Sequence, residues 1–135
     1  MIRVVVDTNI LVSAVLKGRV SESVILFLVS NPDFDWVVSE AILMEYRSVL
    51  MRKKFKLSTD SQQRWFKIID AFTTVINVDI VVDFPRDPKD AKFLECAIAA
   101  SADYLITGDR DFEAFNGAQG TMVVTASRFL GLFVK

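Results

Sequence analysis

Five short apolar runs, Ile2 to Val6, Phe34 to Val38, Val75 to Val78, Tyr104 to Ile106 and Met122 to Val124, alternate with stretches whose apolar residues recur at helical spacing. Short apolar runs bounded by turn formers read as strands. Strands alternating with helices pair in parallel, joined by right-handed crossovers. A sheet built that way is covered on both faces, which suits strands that are mostly apolar. The composition agrees, since 52% of the residues are apolar, more than a half-solvated antiparallel sheet requires.

The helical stripes follow the same order. Ile10, Leu11, Ala14 and Val15 form one, closed by Gly18, and Val24, Ile25, Leu28 and Val29 form the next, stopped by Asn31-Pro32. Ser39 can cap a helix running to about Lys53, and Trp65, Ile69 and Phe72 mark another. Asp87-Pro88 opens a further helix with Phe93, Leu94, Ala97 and Ile98 inward, and Ala126 to Leu132 forms a short closing one. No repeat, low-complexity tract or linker divides the 135 residues, so residues 1–135 are expected to form a single domain with one core.

What is missing from the chain narrows its chemistry. There is no histidine, which removes imidazole acid–base catalysis, Ser-His triads and the usual His/Cys zinc sites. The single cysteine, Cys96, excludes an internal disulfide and falls beside Phe93 and Ala97 at helical spacing, so it reads as a small buried hydrophobe. No apolar stretch approaches the length of a membrane span, and Asp7 interrupts the N-terminus before a signal-peptide core could form. A cytoplasmic protein is expected, with no membrane partner.

Carboxylates must then do any chemistry, and they recur where strands end or the next helices begin. Asp7 closes the run Ile2 to Val6 and is followed at once by Thr8-Asn9. The tip of a central parallel strand faces the crevice where open α/β sheets bind ligands. Asp7 could instead cap the following helix, but Thr8 or Asn9 could serve as that cap. Glu45 falls at the edge of the apolar stripe after Ser39, where an acid is costly unless it is paired, with Arg52 or a lysine for example, or bound to metal. Asp87-Pro88 has the form of an N-cap with proline at the first helical position, so Asp87 is assigned to capping; Asp90 precedes Phe93 and Leu94 on the inward face and is favoured as the site residue. In Thr107-Gly108-Asp109-Arg110-Asp111-Phe112, Asp109, with Asp111 as an alternative or companion, follows the strand Tyr104 to Ile106. That segment could also be a plain turn with Arg110 bridging its two acids. Acids gathered at one rim repel one another unless a divalent ion lies between them, and oxygen-only ligation favours Mg²⁺ or Mn²⁺.

The net charge of −1 says little about nucleic acid in aggregate, so any such binding must use a local patch. Arg52, Lys53, Lys54 and Lys56 form the one dense basic segment. It reads either as a helix C-terminus, where cations are favoured, or as a rim that grips phosphates beside the acids. The glycines form no phosphate loop.

Taken together, Val5-Val6-Asp7-Thr8-Asn9-Ile10-Leu11, the segment Ser39 to Glu45, Asp87-Pro88-Lys89-Asp90-Ala91 and Leu105-Ile106-Thr107-Gly108-Asp109-Arg110-Asp111-Phe112 resemble the PIN-domain family. The likeness spans nearly the whole chain and is closest to the compact prokaryotic members regarded as VapC-like toxins of toxin–antitoxin pairs. It implies an α/β fold, a three-layer α/β/α sandwich with a five-stranded parallel sheet. It also implies hydrolysis of RNA phosphodiester bonds with one or two Mg²⁺ or Mn²⁺ ions. The family's acids map onto Asp7, Glu45, Asp90 and Asp109. Asp7, Asp90 and Asp109 or Asp111 would be metal ligands, with Glu45 orienting or deprotonating the attacking water and Thr8, Asn9 and Thr107 in support. The Thr-Gly-Asp-Arg-Asp-Phe segment is shorter than in many toxin members, which leaves Asp109 and Asp111 as alternatives for the fourth acid. The implied partners are RNA, a small antitoxin and a second copy of the chain. Helices carrying Val24, Ile25, Leu28 and Val29, or Trp65, Phe66 and Phe72, offer apolar surface for that dimer, consistent with a mean hydropathy of +0.35.

Two other readings remain open from sequence. One is a PIN-fold binding module that acts by complex formation without turnover. The other is an aspartyl phosphatase using Asp7 as nucleophile, which usually wants a second acid where this chain has Asn9.

Overall fold

The computed structural model describes residues 1–82 and 88–134. Five strands, β1 (Ile2–Val6), β2 (Phe34–Val38), β3 (Thr73–Val75), β4 (Tyr104–Ile106) and β5 (Met122–Val124), form one sheet in the order β3-β2-β1-β4-β5. Every neighbouring pair is parallel. Helices α1 (Thr8–Val15), α2 (Arg19–Ser30), α3 (Glu40–Leu50), α4 (Thr59–Phe72), α5 (Ala91–Ala99) and α6 (Ala126–Phe133) flank it, with short 3₁₀ turns at Lys53–Phe55, Pro88–Asp90, Arg110–Phe115 and Ala118–Gly120. The chain builds outward from β1 to β2 and β3, then returns across the sheet to lay β4 on the other edge of β1. The direction of winding therefore reverses between β1 and β4, and the crevice above that reversal is where open α/β sheets place their ligands.

Burial explains why β1 holds the centre. Val4, Val5 and Val6 are fully buried, and valine's branched side chain packs well on a pleated surface covered from both sides. At the opposite end of the sheet from the reversal, five rings close the core. Phe27 of α2 and Phe133 of α6 each stand edge-on to Phe34 with centroids 4.9 Å apart, while Tyr104 meets Phe129 and Phe133 edge-on at 5.7 and 5.5 Å. Edge-to-face rings are favoured by their quadrupoles as well as by area, and Phe34 and Tyr104 are the first residues of β2 and β4.

Four strands lie where the apolar runs predict. The third does not: β3 is Thr73–Val75, not Val75 to Val78, because it is Thr73, Thr74 and Val75 that pair with Trp36, Val37 and Val38. Thr74 donates to Asp35 at 2.5 Å across that edge, and only one ladder-like bond, from Ile76 N–H to the Val38 carbonyl at 2.8 Å, continues beyond it. Helix α3 ends at Leu50 rather than near Lys53, and the basic residues enter a separate 3₁₀ turn.

Gly18 does not supply the left-handed turn after α1. Lys17 does, at φ 68°, and Gly18 is the residue before α2. Glycine is required there for closeness: a Cβ would lie 2.3 Å from the Ser13 hydroxyl and 2.9 Å from the Ser13 carbonyl oxygen. On α4, of the expected stripe of Trp65, Ile69 and Phe72, only Ile69 is fully buried; Trp65 packs against the core partly buried, and Phe72 is half exposed. Val24, Ile25 and Leu28, expected to face a second copy, are buried within this one. Cys96 is buried as expected, and loss of solvation pushes its thiol up to about 12. Among the described residues no helix is long and apolar enough to cross a membrane.

Candidate active site

Asp7 follows directly from the last residue of β1, and its N–H donates to the Ile106 carbonyl of β4 at 3.0 Å, so the reversal point of the sheet holds it in place. It is 4% exposed. Its carbonyl accepts the first helical bonds of α1, but its side chain makes no cap hydrogen bond to that helix. The carboxylate is instead aimed elsewhere. Oδ2 accepts a hydrogen bond from the Thr107 hydroxyl at 2.8 Å, and that hydroxyl accepts from the Asp109 N–H at 3.0 Å. Thr107 thus ties the ends of β1 and β4 together.

Burial raises the Asp7 carboxyl above the ordinary carboxylate range by withholding water from its charged form. The Thr107 bond and the nearby Asn9 N–H pull it back, and the negative charges of Asp109 and Glu45 push it further up. Burial and the neighbouring carboxylates thus both disfavour charge on Asp7, the combination found where a carboxylate serves a functional site.

Glu45 arrives on α3, which Ser39 caps by accepting from the Ile42 N–H at 3.2 Å. The Thr8 hydroxyl donates to Glu45 Oε2, and Lys92 Nζ of α5 lies 2.6 Å from Oε1. Of the two pairings expected for Glu45, with Arg52 or with a lysine, the second exists, and the lysine is Lys92. Next to it, the fully buried Tyr46 donates to the carbonyl of Val6, the residue before Asp7. Burial holds that phenol in its protonated form.

One open cleft of about 370 Å³ gathers most of the expected residues. Asp7, Thr8, Asn9, Glu45 and Asp90 line it together with Arg52, Lys54 and Lys89. Asp90 stands just before α5 without capping it through its side chain. Asp109 and Thr107 line an adjoining cleft of about 380 Å³ with Gly108 and Arg110. Asp109 caps the following 3₁₀ turn, Oδ1 accepting from the Asp111 N–H at 2.9 Å, so Asp111 meets the acidic group through its backbone. Lys53 and Lys56 are exposed and line neither cleft. Asp87, assigned to capping, lies outside the described residues.

Known proteins carry the same organisation. A family model described as PIN domain matches residues 3–111. The chain belongs to the PIN-domain family. This PIN domain is 32% identical over 113 residues to the uncharacterized protein MJ1680 of Methanocaldococcus jannaschii, across 82% of this chain and 72% of that one. Its fold is similar to VapBC2 from Rickettsia felis, solved bound to a DNA fragment from their promoter, with a TM-score of 0.61 at 17% identity, covering 92% of this chain and 98% of that one. It is also similar to PAE2754 from Pyrobaculum aerophilum, with a TM-score of 0.60 at 14% identity over 97% and 94% of the two chains.

Three residues of this PIN domain's site escape a reading of the sequence. Tyr46 looks like one more core aromatic, Lys89 sits among alternating charges, and Lys92 lies far along the chain from the glutamate it grips. Only the adjacency of Lys89 to Asp90 could have drawn attention to it.

The donor set suits a hard divalent cation, since every candidate ligand is a carboxylate and the most buried of them lacks a compensating charge. Among the described residues no three acids converge closely enough to cage an ion by themselves. Mg²⁺ retains several waters and needs only one or two protein carboxylates, so the two facts agree.

Proposed function

We propose that this PIN domain, as one unit of residues 1–135, is a Mg²⁺- or Mn²⁺-dependent endoribonuclease. The observation that carries the reading is Asp7, a nearly buried carboxylate at the reversal point of the sheet, lining one cleft with Glu45, Asp90 and the cations Arg52, Lys54 and Lys89. Asp7 and Asp90 would hold the ion directly, and Asp109, with Asp111 as its alternative, directly or through one of the waters the ion retains. Bound there, it would acidify a water molecule and neutralise charge on the phosphodiester under attack. Arg52 and Lys54 draw phosphates to the cleft; Lys53 and Lys56 contribute at longer range. Glu45 accepts the proton of the attacking water, and Asn9 and Thr8 stand within the same cleft to hydrogen-bond the ligands or the substrate. Thr107 keeps Asp7 oriented, a supporting bond of the kind that fixes ligand geometry in metal sites.

The likeness to the Rickettsia felis VapBC2 fold supports a toxin of the VapC kind, acting in the cytoplasm as a homodimer and neutralised by a small antitoxin. Apolar surface remains for such partners. Leu16, Val20 and Leu26 are about half exposed. A groove of about 410 Å³ between α2 and α4 is lined by Leu26, Val29, Trp65 and Ile68.

The test is cleavage of a fluorescent single-stranded RNA with Mn²⁺ or Mg²⁺, with EDTA and Asp7→Asn as controls. Metal-dependent cutting lost in the variant supports the reading. Tight RNA binding without cutting points to a binding module, and a trapped phosphoaspartate would point to a phosphatase.

A further inference from the structure

Both oxygens of Glu45 are held by the protein, Oε2 by the Thr8 hydroxyl and Oε1 by the Lys92 ammonium at 2.6 Å. The two grips come from different elements, α1 and α5, and from different sides. Thr8 lines the acidic cleft with Glu45. Lys92 lines a second cleft of about 280 Å³, with Ser39, Asn77, Val81 and Glu95, and not the acidic one. The pair is only a quarter exposed, 22% for Lys92 and 27% for Glu45. Lys92 is thus placed to act on Glu45 from behind, without reaching into the cleft where a substrate phosphate would lie.

We propose that Lys92 is a positioning residue for Glu45, an inference that rests on the nuclease reading. A glutamate on a helix has three side-chain torsions to fix, and the charge-assisted bond from Lys92 together with the Thr8 bond removes most of that freedom. A carboxylate offers about four acceptor positions, so two remain for water after both grips are made. The ammonium also offsets the Glu45 charge that Asp7 would otherwise feel in full. Lys92 therefore keeps Glu45 aligned for catalysis while weakening the site's pull on cations.

That combination gives a signature that neither a structural lysine nor a phosphate-binding lysine shares. In Lys92→Met, kcat for single-stranded RNA should fall about 10- to 100-fold, the usual cost of losing a supporting bond in such a site, with KM nearly unchanged. Mn²⁺ binding followed by calorimetry, without RNA, should tighten by roughly two- to tenfold because a repelling charge has gone. Lys92→Arg should recover most of kcat. In the double variant Glu45→Gln, Lys92→Met the loss should be no greater than in Glu45→Gln alone. Should Lys92→Met fold poorly, the Lys92→Gln variant in the same cycle carries the test. A raised KM at unchanged kcat, weakened Mn²⁺ binding, or losses that multiply in the double variant each overturn the proposal. A wild-type chain that leaves RNA intact overturns the nuclease reading and this inference with it, whereas a cleaving wild type matched by Lys92→Met overturns this inference alone.

Discussion

The two ends of the same sheet are built on opposite terms. At the start of β2 and β4, Phe34 and Tyr104 meet Phe27, Phe129 and Phe133 edge-on, and every contact favours the folded state. At the far end, a buried carboxylate follows β1 with two more negative charges beside it. Ionised Asp7 and its neighbours repel, so that end is tolerated by the fold rather than sustaining it. One terminus of the parallel sheet is closed by apolar contacts, and the other, held by hydrogen bonds such as Thr107 to Asp7, carries the charged groups.

If that division is right, the largest effect comes from Asp7→Asn. RNA cleavage should fall at least about 10³-fold, equivalent to about 4 kcal/mol of transition-state stabilisation. Its metal-free melting temperature should hold or rise, since a desolvated charge has been removed. A variant that cuts at the wild-type rate, or that loses the fold, breaks the contrast.

Phe129→Ala is the reciprocal case. Phe129 is fully buried, and truncating it should cost about 3–5 kcal/mol in chemical denaturation. Cleavage per folded molecule at low temperature should stay at the wild-type level. A specific loss of activity would mean that the two ends are coupled.

A smaller effect appears in the pH dependence of stability. The folded Asp7 carboxyl holds its proton to a higher pH than the unfolded one. Its contribution is therefore fully present below the ordinary carboxylate range and lost as pH rises through the raised folded value. The advantage of Asp7→Asn over wild type, from denaturant melts in EDTA, should be greater at neutral pH than near about pH 4.5. An advantage independent of pH would show that Asp7 is not the source.

The smallest effect separates two adjacent lysines. Lys54 lines the acidic cleft and Lys53 does not. Lys54→Gln should flatten the dependence of log K for single-stranded RNA on log salt by about 0.7, one phosphate contact, while Lys53→Gln should flatten it less. Slopes unchanged from wild type in both variants would return the whole basic segment to a solvated chain turn.

These tests also follow what the sequence could and could not disclose. Period and strand-end position are local signals, and they placed β1, β2, β4 and β5 and singled out Asp7, Glu45 and Asp90. Partner choice is not local. The sequence allows Arg52 or a lysine as the partner of Glu45 without saying which, and α5 brings Lys92 to it from 47 residues away. The displaced β3 has a related cause: Ile76 and Val78 are apolar enough for a strand, yet the register of the β2 edge selects the threonines before them. On α4 the helical period identifies a shared face but not its burial, because period shows which residues share a face without showing how much of that face is covered.

The bond between Thr107 and Asp7 joins residues 100 positions apart, and the β1–β4 pairing beneath it has similar reach. A nascent chain leaving the ribosome can lay β2 beside β1 early, but the other edge of β1 stays open until β4 has been made. The acidic centre is therefore among the last parts to assemble, and incomplete chains carry its first aspartate without the threonine that orients it. Under the proposed function, strand order would then set how much of the chain must emerge before the site is complete.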